Sequence, residues 1–315
     1  MKRSMVLVAV LVVLLGIYWL MQSNRPMTDP DRPFVQIDTA QVTSLRIESS
    51  TDTVELARRG DQWFLTKPLE FPTAARMTDQ ALGRLGEMRK LTLVTDRPDR
   101  FREFQVDDST GVKVSVTDRK KTHTFYLGKT SPTAGTSYAR LDGSKEVWEI
   151  AGNMTPAFKR PVRDWRDKTI SEADREGFIK FTFVYPKETI SATLVDSVWK
   201  VEAGAEKFDA DKNQISRVTG LLSRMSGVDF ADTLAADAFD APECHLIAEL
   251  ALGETLDLRL IPKGEDGSQY FLRKAGAPTD YVIYKSTAEV LMRKAADLRP
   301  KPEKSAEAPP QKPRG

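Results

Sequence analysis

The sequence predicts an α+β fold class: an N-terminal transmembrane helix followed by two tandem repeats of antiparallel sheet plus one long helix. Three observations lead there. An unbroken apolar run, MVLVAVLVVLLGIYWLM, fills Met5–Met21. Short runs with period-two alternation follow it, the signature of half-buried strands. One order of such runs around an amphipathic helical pattern then occurs twice along the chain.

The anchor comes first. A helix rises about 1.5 Å per residue, so the run spans roughly 25 Å, near the shortest length that crosses a hydrocarbon core. Tyr18 and Trp19 close it, where amphipathic rings favour the interface. Lys2 and Arg3 precede it, which predicts a cytoplasmic N-terminus. The expected location is therefore the cell (inner) membrane, single-pass, with the bulk of the chain outside the cytoplasm. Met21, Gln22 and Ser23 fit a small-residue cleavage site poorly, and no lipid-attachment cysteine stands nearby, so the reading is an uncleaved signal anchor. Residues 1–24 are the cytoplasmic tip and anchor, and 25–41, with the polar RPMTDPDRP, form a linker.

The first repeat occupies 42–153 and the second 175–299, joined by a connector at 154–174. Asp61–Leu91 lies over Ser197–Val228: Trp63 matches Trp199, Phe71 matches Phe208, and Ala81, Leu85, Met88 and Leu91 match Val218, Leu222, Met225 and Val228. In the first repeat, Val42–Glu48, Val54–Arg58 and Trp63–Thr66 alternate as strands. Thr73 is the expected cap of a helix running to about Lys90, with Leu82, Leu85 and Met88 on one face. Strands at Val112–Thr117, Thr122–Leu127, Ser137–Leu141 and Val147–Ile150 follow. The second repeat starts with Phe178–Val184 and Thr189–Val195. Its helix is capped by Asp211 or Asp209 and ends near Ser226-Gly227. A final helix from Thr287 to about Leu298 precedes 300–315, a Pro/Lys-rich stretch expected to be a disordered tail because it has too little apolar surface to offset ordering entropy.

This arrangement resembles the family known as domain of unknown function 4340, over nearly everything from Val42 to about Leu298. The resemblance rests on the anchor, the Trp63 and Trp199 strands with their helices, and the Tyr126-Leu127-Gly128 turn. The Tyr138-Ala139-Arg140 strand and the connector Val162–Lys168 complete it. In the second copy Leu260-Ile261-Pro262 stands where a Leu-Gly step is expected. The resemblance implies an accessory protein, often encoded beside ABC transporter components similar to those of gliding-motility systems. It transfers no catalytic residue.

Composition narrows the chemistry. Net charge is +2 from 47 basic and 45 acidic residues, so no global field points to nucleic acid. A single cysteine, Cys244, rules out an intramolecular disulfide, and two histidines are a poor basis for a metal site or triad. Cys244 and His245 are neighbours on an extended run and face opposite sides, so they cannot share a proton. His123, in THTFYLG, reads as a sheet residue. The acidic pairs Asp107-Asp108, Glu172 and Asp174, Asp209 and Asp211, and Glu265-Asp266 match no calcium loop and read as turns and caps. Phosphate-loop, dinucleotide, H-E-x-x-H and G-x-S-x-G motifs are missing. The chain is therefore read as no enzyme, with no cofactor, no metal and no catalytic residue.

Basic clusters at Arg97/Arg100/Arg102, Arg119-Lys120-Lys121 and the connector are the surface candidates. Arg160, Arg163, Trp165 and Arg166 form the candidate interface, because an aromatic among arginines favours partner contacts. The competing placement puts Trp165 in the seam between the repeats. The expected function is a membrane-anchored extracytoplasmic accessory or interaction protein associated with an ABC-type transport system. Its partners would be the inner membrane through residues 5–21, ABC transporter subunits, and a lipid or cell-envelope ligand. The alternative is a lipid- or glycan-binding periplasmic module; an extracytoplasmic hydrolase has the least support from the residue inventory.

Overall fold

The computed structural model describes residues 32–300, apart from Lys120 and Glu265, together with Gly16. The expected anchor at 5–21, Gly16 apart, and the tail beyond Pro300 lie outside the described residues. Among the described residues no helix is long and apolar enough to cross a membrane. The described chain divides into two compact units, one ending at Asp167 and the other beginning at Lys168, the division falling inside the expected connector. Every strand pairing is antiparallel, so the fold is a sheet-rich α+β fold.

In the first unit the strands are β1 Val42–Glu48, β2 Thr53–Arg59, β3 Gln62–Lys67, β4 Phe71–Pro72, β5 Lys90–Thr95, β6 Val112–Asp118, β7 Lys121–Thr130, β8 Thr136–Leu141 and β9 Val147–Ala151. They form one sheet in the order β4-β3-β2-β1-β6-β7-β8-β9-β5. Alternation is what builds it: Val42, Leu45 and Ile47 of β1 and Val112, Val114 and Val116 of β6 are buried while their neighbours face outward. Helix α1, Ala75–Glu87, buries Thr78, Ala81 and Leu85, with Met88 buried at its end. Three short helices follow in this unit: α2 Phe101–Phe104, α3 Thr155–Phe158 and α4 Val162–Trp165.

The second unit opens with β10, Thr169–Glu172, which pairs with β15, Arg224–Ser226. Its large sheet comprises β11 Phe178–Val184, β12 Thr189–Val195, β13 Val198–Ala203, β14 Glu206–Asp209, β16 Asp229–Phe230, β17 Cys244–Leu250, β18 Thr255–Lys263, β19 Gln269–Lys274 and β20 Tyr281–Tyr284. The order is β14-β13-β12-β11-β17-β18-β19-β20-β16. Helix α5, Lys212–Leu222, contributes Ile215, Val218 and Leu222 to the core, and α6 Lys285–Leu291 and α7 Ala295–Leu298 follow the sheet.

The two strand orders coincide position by position, and so does the register. Arg58 faces Trp63 on the neighbouring strand as Leu194 faces Trp199. The Trp63 carbonyl accepts the Thr73 amide at 3.0 Å, and the Trp199 carbonyl accepts the Ala210 amide at 2.8 Å.

Several sequence expectations need correcting. Thr73 does not cap α1: its hydroxyl donates to the Trp63 carbonyl at 2.9 Å, and Ala74 stands at the cap without a side-chain bond. Helix α1 stops at Glu87, because Met88 turns extended and Lys90 begins β5 beside β9. Thr78, Ala81 and Leu85 make its buried face, with Leu82 only half-buried. Asp211, not Asp209, caps α5, accepting the Asn213 amide at 2.8 Å. That helix ends at Leu222, since Arg224–Ser226 is drawn into pairing with β10. The expected last helix is two, α6 and α7, broken at Met292–Lys294.

Candidate functional site

The connector residues come first. Backbone bonds join this segment to the edge of the first sheet: Ala74 donates to the Trp165 carbonyl and Asp167 to the Pro72 carbonyl, each at 2.9 Å, and Thr73 bridges Arg166. That pairing turns Trp165 inward, fully buried, with its indole Nε1 lacking a hydrogen-bond partner. Arg166 is also buried, its guanidinium 4.3 Å from the Phe71 ring centre. Arg160 reaches α1 instead, donating to Gln80 Oε1 at 2.8 Å and to Met77 Sδ at 2.9 Å. Arg163 alone keeps an exposed side chain, near Asp164. The four residues therefore do not share one exposed face, and Trp165 and Arg166 cannot serve as surface contacts.

A groove in the second unit is the best-formed candidate site. It measures about 470 Å³ and lies between α5 and the end of the sheet where β11 begins and β12 turns into β13. Phe178, Leu194, Val198, Trp199 and Ile215 supply its apolar lining. Trp199 stacks on Phe181 with ring centres 5.2 Å apart, and Phe181 stacks on Phe178 at 5.5 Å, so the groove's tryptophan rests on a buried aromatic stack. Arg175 lies over α5, donating to the Ser216 hydroxyl at 2.6 Å. Four of the five large apolar side chains exposed among the described residues, Ile179, Val195, Val198 and Leu252, belong to this end of the sheet.

The first unit closes the same position. Arg58, the counterpart of Leu194, donates to the carbonyls of Ala40 and Gly60 at 3.2 and 3.1 Å. The 3-10 turn Thr39–Gln41 also packs against α1. In the second unit Asp174–Gly177 is all that connects Ala173, whose amide donates to the Ser223 carbonyl, to β11, too short to form such a cover. Sequence reasoning missed the groove because its signal is a difference between aligned positions, Leu194 against Arg58, and not a motif.

The remaining candidates are engaged locally. His245 Nε2 lies 2.9 Å from Asp257 and His123 Nε2 3.4 Å from Asp118, each pair on adjacent strands. Cys244 is buried, and burial pushes its thiol up to about 11, against an opposing hydrogen bond from Tyr185. Partial burial works to raise the Asp107 carboxyl, but bonds from Ser109 and Thr110 outweigh it and hold the group well below the usual carboxylate range. Asp108 accepts from Tyr126, whose hydroxyl is raised by burial and by that bond. Asp266 accepts from Ser268 in a turn, and Asp209 pairs with Lys200. Among the described residues no group of three or more His, Cys, Asp or Glu is placed to hold a metal ion. The basic clusters are paired too: Arg97 with Asp99, Arg100 with Glu103 at 2.9 Å from two nitrogens, and Arg119 with Asp38.

Fold and site together define a sheet-rich α+β protein with an apolar groove in its second unit. The chain belongs to the family described as domain of unknown function (DUF4340), whose model matches residues 63–248, more than half of the 315. No curated protein and no solved structure matches the chain.

Proposed function

We propose that this chain is a membrane-anchored, extracytoplasmic, non-enzymatic accessory protein that works beside an ABC-type transport system. The apolar run Met5–Met21 behind Lys2 and Arg3 is the observation that carries this reading, since it has the length and flanking charge of a signal anchor. The partner class comes from the family resemblance: members look like accessory proteins encoded beside ABC transporter components. Two large sheets of one strand order suit a binding scaffold. The local engagement of both histidines and of Asp107, Asp108, Asp209 and Asp266 accounts for those groups without a reaction.

The test has two arms on the full chain. A reporter active only in the cytoplasm, fused after Gly315, is expected to be silent. A C-terminally tagged chain, purified in mild detergent, is expected to enrich ABC transporter subunits over a control single-pass protein. An active cytoplasmic reporter overturns the orientation, and equal recovery of transporter subunits with the control overturns the association.

A further inference from the structure

We propose that the Trp199 groove binds the chain's own proline-rich segment, residues 300–315, as a basic polyproline-type ligand. This goes beyond the transporter reading and does not depend on it.

Four observations carry the proposal. The first is where the described chain ends. The Asp211 amide at the start of α5 donates to the Leu298 carbonyl at 2.8 Å, and Arg299 sits 4.1 Å from the Phe208 ring centre. The chain therefore leaves the second unit beside Ala210 and Lys212, which line the groove. From Asp211 to Thr219 along α5 is about 12 Å at 1.5 Å per residue. Ten residues of polyproline helix at about 3.1 Å each cover roughly 30 Å, so the reach is ample.

The second observation is the ligand's composition. The segment PKPEKSAEAPPQKPRG contains Pro300-Lys301-Pro302 and the P-x-x-P string Pro310-Gln311-Lys312-Pro313, followed by Arg314. Proline-rich strings dock aromatic-lined grooves because their extended form is set in advance and loses little entropy on binding. Trp199, half-buried and stacked on the fully buried Phe181, is the aromatic surface this groove offers.

Charge is the third. Lys301, Lys304, Lys312 and Arg314 outnumber Glu303 and Glu307 in the segment. Around the groove's end of the sheet, Asp174, Glu176, Asp196 and Glu254 are all exposed, and Glu176 lines the groove itself. Arg175 and Lys212 also line it, so the charge match is with the acidic rim of Asp174, Asp196 and Glu254 and not with the lining. The fourth is the contrast between units: Arg58 and Thr39–Gln41 cover the position in the first unit, while Leu194 and Val198 leave it apolar and open in the second.

A linked ligand needs little intrinsic affinity, because tethering supplies an effective concentration on the order of millimolar. Proximity is therefore the right readout. The full-length chain, in lipid nanodiscs, would carry Val198→Cys with Gln311→Cys, which leaves every proline of the segment in place, and be treated with a short bismaleimide. Buried Cys244 stays out of the reaction. A control pairs Gln311→Cys with Lys187→Cys, in the turn at the opposite end of β11. Cross-linking within one molecule is expected at least about tenfold faster for the Val198 pair than for the control. Leu194→Arg, which installs the residue the first unit already accommodates, is expected to bring that rate down to the control's. Pro309→Ala with Pro313→Ala, outside the folded units, is expected to lower it at least about fivefold by loosening the polyproline form. Equal rates for the two pairs, rates indifferent to both sets of substitutions, or cross-links only between molecules would each overturn the proposal.

Discussion

Gly128 shows how one residue type is dictated by packing. It lies inside β7, and a Cβ there would press into the Phe104 carbonyl and come within 2.8 Å of Val106 Cγ1. The Tyr126-Leu127-Gly128 step is thus a place where the α2 loop crosses a strand closely, not the turn the sequence suggested. Ile261, its register counterpart beside Leu260, shows that the second unit has no such crossing at that point. Cys244 carries a testable consequence of burial. Its folded value is raised from near 9 to about 11, so its contribution to stability is complete below pH 9 and is lost as pH rises through about 11. The loss amounts to about 2–3 kcal/mol. Urea unfolding of wild type and Cys244→Ala at pH 8 and pH 11 is expected to show the wild type losing more stability over that interval. Parallel losses would show that the thiol does not titrate differently on folding. The opposite facing of Cys244 and His245 was legible in the sequence, because alternation in a strand is a local signal. Trp165 was harder to read: its burial follows from pairing with Pro72–Ala74, about ninety residues earlier in the chain, and an arginine-flanked tryptophan looks the same whether it faces solvent or a sheet edge.

At the level of elements, two arginines fasten short helices to strands in the same way. Arg140 on β8 faces Tyr126 across the ladder, and Arg273 on β19 faces Arg259 one place from the Leu260–Leu272 pair, so the two hold equivalent positions. The Arg140 guanidinium lies 4.4 Å from the Phe101 ring centre and donates to the Val106 carbonyl at 3.0 Å. Arg273 lies 4.4 Å from Phe239, donates to the Ala236 carbonyl at 2.7 Å and grips Asp280 with two nitrogens at 2.8 Å. Each arginine fixes the turn of helix that precedes the next long strand. Arg140→Met is expected to cost about 2–3 kcal/mol through stranded carbonyls and a lost ring contact. Amide exchange should then quicken at 98–106 first, and at 236–240 for Arg273→Met; a rise spread evenly over the unit would refute the fastening role. The expected strands were legible from alternation to within a residue or two, as at β1 and β6, except that β7 runs three residues past Leu127 to Thr130. Strand β5 was not, because KLTLVT is only half-buried and follows α1 without a glycine or proline to mark the change. The same blindness lengthened both helices, since Met88 and Met225 continue the helical spacing while their backbones are already extended or strand-paired.

For the whole molecule, the coincidence of two nine-strand orders matters more than any single match. Shared hydrophobic spacing suggested copies, yet spacing alone would also arise from unrelated amphipathic segments. Register is stricter: Trp63 and Trp199 sit at the same ladder position, Arg140 and Arg273 do likewise, and Thr73 and Ala210 donate to the carbonyls of Trp63 and Trp199 respectively. What has diverged is surface, with Arg58 against Leu194 closing one groove and opening the other. The second unit has a core cluster drawn only from Ile170–Leu298, in which Phe181 and Phe183 are fully buried beside Ile190, Leu246 and Leu258. A fold built this way should respond to a core cavity unit by unit. Phe183→Ala is expected to cost about 3–5 kcal/mol, the usual range for emptying a buried phenylalanine site. Its effect should appear in native-state hydrogen exchange on the full chain as faster amides through β11, β12 and β17, the strands that meet at Phe183. The amides of β1, β6 and β7, whose core is built on Leu45, Val114 and Phe125, should keep their protection within the error of the measurement. If those first-unit amides lost protection in step with the second unit, the chain would unfold as one cooperative body, and the two sheets would be two halves of a single domain.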